Sequence, residues 1–144
     1  MKCTPTHLMI KQLLKIYYEE EKRFKTKMSY SEAEYYHRHL LTNKNILCVV
    51  TKGKIIAYVE YYKVNYEQLN KLLWNEPFSV VKEDLTGGQH CYVANIWVSK
   101  NNRFSALKEL KYKWDKEINK CLTISGHRYK YNGKTRFYRR GNND

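Results

Sequence analysis

The stretch best suited to chemistry runs from Cys91 to Lys116. A strand-like octet, CYVANIWV, passes through SKNN into RFSALKELKYKWDKE, whose apolar residues recur at helical spacing. A strand that ends at a helix N-terminus builds an anion pocket, because the first-turn N–H groups have no intrahelical partner and the helix dipole favours negative charge there. Lys100, Arg103 and Lys108 surround that turn and could hold phosphates with side-chain charge. The glycines that let a pyrophosphate lie against such a turn are absent.

A second chemical surface lies near the C-terminus, where Asn132-Gly133 separates HRYKY from KTRFYRR. Read as a two-residue hairpin turn, this pairing sets Tyr131 opposite Lys134, Tyr129 opposite Arg136 and His127 opposite Tyr138. With Arg140 nearby, one face then interleaves rings and cations, which suits single-stranded nucleic acid or an acidic protein surface. Cross-strand packing of tyrosine against Lys and Arg stems explains the same pattern without a ligand.

The elements that position these residues fit one domain spanning 1–144. With 42% hydrophobic and 15% aromatic residues, the chain can fill a single core. Residues 1–98 carry 14 Lys/Arg against 10 Asp/Glu, while 99–144 carry 13 against 4, so most of the +13 net charge lies in the last third. An anionic partner is expected: a phosphorylated cofactor, a nucleic acid or an acidic protein. The bland alternative is that AT-rich coding sequence would give the same abundance of Lys, Asn, Tyr and Ile, and with it charge that has no functional meaning. No apolar run reaches membrane-spanning length, and the N-terminal segment turns charged too early for a secretory leader, so the expected address is cytoplasmic. Cys3, Cys48, Cys91 and Cys121 form no C-x-x-C pair and read as reduced thiols, with no metal site.

Thr4-Pro5 predicts a helix over about 5–22, and Ser31 with Glu34 a capping box opening a second helix that ends near Asn43. Strands at 46–50 and 55–62 flank a four-residue loop, 51–54. Asn65 caps a short helix that is broken before Pro77, and a less regular stretch runs on to Gly87-Gly88. The strand at 91–98 follows, then a helix over 103–119 with Phe104, Leu107, Leu110, Trp114 and Ile118 on one face, then a strand opening CLTIS. The expected fold is α/β (α+β): a mixed, mostly antiparallel sheet flanked by helices, with two helices leading and a β-hairpin closing the chain.

That order, with the strand–turn–helix as its hub, resembles the GNAT superfamily of N-acetyltransferases. Val98 and Arg103 fall at the spacing of the family's acetyl-CoA motif, while Ala106 and Lys108 stand where its glycines belong. The family's first strand is not evident before the two helices, and its helix before the final hairpin has no room. The resemblance implies that acetyl-CoA or CoA binds along Ile96, Trp97, Val98, Arg103, Phe104, Ser105 and Ala106, and that an amine attacks the thioester. It implies a general base, for which Glu60 and His90 are the candidates because the 91–98 strand offers only Asn95, and a tyrosine acid, for which Tyr138 stands in the late aromatic motif. Two functions remain open. One is an acetyl-CoA-dependent N-acetyltransferase. The other is a non-catalytic protein on the same scaffold, for example a viral, virion-associated component, whose basic surface (Tyr129, Tyr131, Lys134, Arg136, Arg140) binds nucleic acid or other subunits.

Overall fold

The computed structural model describes the backbone of residues 5–20, 27–129 and 135–141, and within those ranges the side chains of 6–127. Helices α1 (Pro5–Glu19) and α2 (Tyr30–Thr42) precede strands β1 (Ile46–Thr51) and β2 (Lys54–Val64). Helix α3 (Tyr66–Leu73), strand β3 (His90–Val98), a 3₁₀ turn at Lys100–Asn102 and helix α4 (Arg103–Glu117) come next, before strands β4 (Thr123–Tyr129) and β5 (Thr135–Gly141). The described strands form one sheet in sequence order, antiparallel throughout except for β3 and β4, which run parallel with α4 as their crossover. The mixed sheet, the two leading helices and the closing hairpin match the expected architecture. Among the described residues, no strand precedes α1 and no helix separates β4 from β5.

Both faces of the sheet are covered. On one, Ala106 and Leu110 of α4 and Ile118 just beyond it pack on Val59, Cys91 and Ile124. On the other, Leu13 of α1, Leu40 of α2 and Leu69 of α3 pack with Tyr58, Tyr62 and Tyr92. This explains why Ile55–Tyr62 is buried without interruption: a strand covered on both sides has no polar alternation to display.

Several boundaries differ from the sequence reading, each for a local reason. Helix α2 is capped by Ser29, whose hydroxyl accepts from Glu32 N and donates to the Glu32 carboxylate at 2.9 Å, so the cap is Ser29 and Ser31 lies inside the helix. Thr51 pairs with Lys54, leaving a two-residue turn in which Lys52 and Gly53 both have positive φ (52° and 74°), as the twist of a tight hairpin requires. The buried stripe of α4 follows Ala106, Leu110 and Ile118. Phe104 lies about 200° around the helix from Ala106 and is 91% exposed, and Leu107 is also exposed. Asn65 does cap α3, in a reciprocal box with Gln68.

The closing hairpin is shifted by one residue. Tyr129 pairs with Thr135, Arg128 with Arg136, His127 with Phe137 and Gly126 with Tyr138. Positions 129 and 136 are therefore not opposed, and the backbone register differs by one from the expected pairing. Tyr131 and Lys134 lie outside the described residues.

Candidate functional site

The site begins with a defect in β3. Glu60 pairs with Asn95 and Tyr61 with Val93, so Ala94 is an extra residue on β3, a bulge. Bulges bend the strand that carries them. Here the parallel ladder of β3 with β4 runs from His90–Thr123 to Val93–Gly126 and ends immediately before the bulge, while β3 continues to Val98 against β2 alone. The two parallel strands therefore diverge, and a cleft opens beside Ala94–Val98. On the α4 side it meets a cavity of about 370 Å³ lined by Ile96, Leu107, Leu110, Lys111, Trp114 and Asn119 among others. Ile96 is 48% exposed at its edge. Helix α4 starts five residues past Val98, with no acidic residue in its first turn and no side-chain cap from Asn102.

On the opposite face, beneath the same divergence, lies a buried polar cluster. Tyr58, Glu60 and Tyr62 alternate along β2 and so share one face. Tyr36 of α2 donates to Glu60 Oε2 at 2.6 Å, the Tyr62 hydroxyl donates to the same oxygen, and the two phenols lie 3.0 Å apart. Glu60 is only 7% exposed. A carboxylate desolvated to this extent is retained only with strong donors, and two phenols on one oxygen provide them. The Tyr62 ring stacks on Tyr92 with centroids 6.2 Å apart, and the Tyr92 hydroxyl meets His127 Nδ1 at 2.7 Å, which carries the polar surface across to β4. Asn95 Nδ2 donates to the Tyr58 hydroxyl at 3.1 Å, and Tyr58 stacks on Trp97.

Burial pushes the Tyr62 phenol well above its ordinary 10.0, with the Glu60 charge adding to the effect. Tyr61, on the other face, is raised to about 12, again first by burial. Because these folded-state values exceed the unfolded ones, their contribution to stability is complete below pH 10 and is lost as pH rises above it. Phenolate absorbance followed from pH 9 to 13 is expected to show Tyr61 and Tyr62 ionising only toward the upper end of that range, with loss of fold. Early titration of all the tyrosines in the folded protein would contradict the buried cluster.

The candidate residues divide by position. Glu60 lies in the cluster just described, and Ile96, Trp97 and Val98 border the divergence. Arg103, Phe104 and Ser105 are exposed at the start of α4, whereas the Ala106 side chain is fully buried against the sheet, leaving only its backbone for a ligand. His90 stands at the other end of β3, where Nδ1 meets Thr123 Oγ1 at 2.8 Å; its partner Val64 is four residues from Glu60, about 13 Å along the strand, so the two are not brought together. Tyr138 pairs with Gly126, the residue at which the β3–β4 ladder ends. The sequence reading missed Tyr36, Tyr62, Tyr92, Asn95 and His127 as one cluster. The signal available was Tyr-x-Glu-x-Tyr over 58–62, a carboxylate between two tyrosines on one strand face.

Among the described residues, no helix is long and apolar enough to cross a membrane, and no group of three His, Cys, Asp or Glu could hold a metal. No protein-family model and no curated protein matches the chain. Solved structures do match. The GNAT-like decarboxylase GphF, in complex with isobutyryl-CoA, superposes with a TM-score of 0.52 at 13% identity over 87% of this chain and 63% of that one. The loading GNATL domain of CurA from Lyngbya majuscula gives 0.51 at 9% identity over 82% and 59%. The chain thus spans about three-fifths of each, and its fold is the GNAT fold.

Proposed function

We propose that this domain binds an acyl-CoA thioester in the cleft where β3 leaves β4 and transfers the acyl group to an amine. The observation that carries the reading is the end of the β3–β4 ladder at the Ala94 bulge, with an apolar cavity on one face and the buried Glu60 cluster on the other. The fold likeness supports it, as does the isobutyryl-CoA held by one of the matched structures.

Each part of the ligand then has a counterpart in the chain. The β3 segment from Asn95 to Val98 offers backbone groups to the pantetheine amides, in the manner of an added strand. The uncapped N-terminus of α4 faces the phosphates, with Lys100, Arg103 and Lys108 supplying the charge that a glycine-poor turn cannot supply by close approach. The amine attacks the thioester carbon and loses a proton toward Glu60, which Tyr36 and Tyr62 hold in place. Tyr138, at the level of Gly126, returns a proton to the departing thiolate.

A thermal-shift titration with CoA, acetyl-CoA and isobutyryl-CoA tests the binding. At about 100 times the dissociation constant, stabilisation is roughly 2.7 kcal/mol, a rise of roughly 5–10 °C for a domain of this size. No shift with any of the three at millimolar concentration would overturn the reading. A second reading, a non-catalytic scaffold that binds nucleic acid, is favoured by the 91% exposed Phe104 between exposed Arg103 and Lys108. It is supported if a single-stranded oligonucleotide shifts the melting temperature and the three thioester-site ligands do not.

A further inference from the structure

At the closed end of the β3–β4 pair, away from the cleft, two cysteines meet. Cys91 is the second residue of β3, and Cys121 lies in the turn before β4. Leu122 N donates to Gln89 O at 2.8 Å, and Cys91 registers with Ile124, which brings the two segments side by side. Both thiols belong to the core between the sheet and α4, Cys91 fully buried and Cys121 at 6% exposure. Within that cluster the two thiols are near enough to influence each other's ionisation.

Their surroundings differ. Cys121 lines a cavity of about 310 Å³ together with Lys63, Gly88, Gln89, Lys120 and Leu122. Lys63 and Lys120 both reach Glu117, at 3.9 and 3.5 Å, so two ammonium groups stand at the rim beside one carboxylate. The neighbouring Cys91, with Lys63 and Lys120, lowers the pKa of the Cys121 thiol against the opposing effect of burial, while the neighbouring Cys121 and burial raise that of Cys91. Burial pushes the Cys48 thiol, on β1, up to about 12 against the opposing charge of Lys113.

We propose that Cys121 and Cys91 form a peroxide-reactive dithiol, in which Cys121 is the attacking sulfur and Cys91 the resolving one. The Cys121 thiolate attacks one peroxide oxygen; the O–O bond breaks, hydroxide departs and takes up a proton as water, and Cys121 becomes a sulfenic acid. The Cys91 sulfur then attacks the Cys121 sulfur. An S–S bond forms, the S–O bond breaks, and the hydroxyl leaves with the Cys91 proton as a second water. Two thiols are oxidised, one peroxide is reduced, and the product ties β3 to the turn before β4.

The folded protein treated with hydrogen peroxide, then digested and analysed by mass spectrometry without reduction, tests this. Wild type is expected to yield a peptide pair joined through Cys91 and Cys121, two hydrogens lighter than the reduced pair. C91S is expected to accumulate a Cys121 sulfenic acid that a 1,3-diketone probe labels, and C121S to give neither product. In the untreated wild type, iodoacetamide is expected to modify Cys121 at least about tenfold faster than Cys48. That comparison needs no variant and holds even if a substitution disturbs folding. Faster modification of Cys48, or peroxide oxidation of Cys121 to higher acids with no bond to Cys91, would overturn the proposal.

Discussion

Replacing Glu60 with Gln is expected to lower acyl transfer by roughly 10²-fold or more while leaving the fold in place. The reason lies in what the change preserves and removes. A glutamine carbonyl oxygen can still accept from Tyr36 and Tyr62, so the buried phenols keep a partner and the loss of stability stays within about 1–2 kcal/mol. What disappears is the carboxylate that, in the proposed mechanism, takes up the proton of the attacking amine. E60A is the harsher change: it leaves the deeply buried Tyr62 hydroxyl without its acceptor and is expected to reduce stability by about 1–3 kcal/mol. Thiol release from acetyl-CoA in the presence of a panel of amines, measured for both variants alongside their melting temperatures, separates the two effects. Unchanged turnover in E60Q would remove Glu60 from the mechanism and leave it as the centre of a structural cluster.

The second large effect is expected at a glycine far from the cleft. A Cβ built on Gly88 would lie 2.0 Å from the carbonyl carbon of Val64, 2.1 Å from its oxygen and 2.5 Å from its Cα. Those atoms belong to the last residue of β2, which cannot swing aside as a side-chain tip could. The loop before β3 is stitched to this strand end: Gly88 N donates to Lys63 O, Lys63 N to Leu85 O, and Asn45 Nδ2 to both Leu85 O and Tyr61 O. G88A should therefore push the loop away from the strand, costing about 3 kcal/mol or a fall of roughly 6–12 °C in melting temperature. Gly87 is the control. A Cβ there meets nothing within 4 Å, so G87A should stay within about 0.5 kcal/mol of wild type. Equal melting temperatures for the two variants would contradict the close approach at Val64.

Much of the fold was legible because strong local signals agreed with it. Pro5, the Asn65 box and the β-branched and aromatic runs at 46–50 and 55–62 all mark elements that form, and the strand–turn–helix from 91 to 117 gave the topology its hub. Errors arose where two local solutions were nearly equal. Ser29 and Ser31 each precede a glutamate by three residues, and only the path of the chain into α2 selects the first. Asn132-Gly133 signals a two-residue turn that would oppose Tyr129 and Arg136, yet the ladder pairs Tyr129 with Thr135. In α4, a small residue, Ala106, sets the buried stripe because it lets the helix approach the sheet, and a pattern read from large side chains begins on the wrong face at Phe104.

The site was legible in part. The strand–turn–helix follows from residue order, and Glu60 was singled out by its residue type. The divergence that makes a cleft depends on the Ala94 bulge, which carries no glycine or proline to announce it. The cluster around Glu60 depends on contacts between α2, β2, β3 and β4, and its one local trace is the alternation of Tyr58, Glu60 and Tyr62.

The central claim is that an acyl-CoA lies along β3 beyond the bulge and reaches the start of α4. Backbone amide spectra of the isotope-labelled protein, recorded with and without CoA, test it most directly. The account predicts that the perturbed amides concentrate at Asn95–Val98 and Arg103–Ala106, with those of α1 and α3 unmoved. Perturbations confined to α1 or α3, or none at saturating CoA, would contradict it.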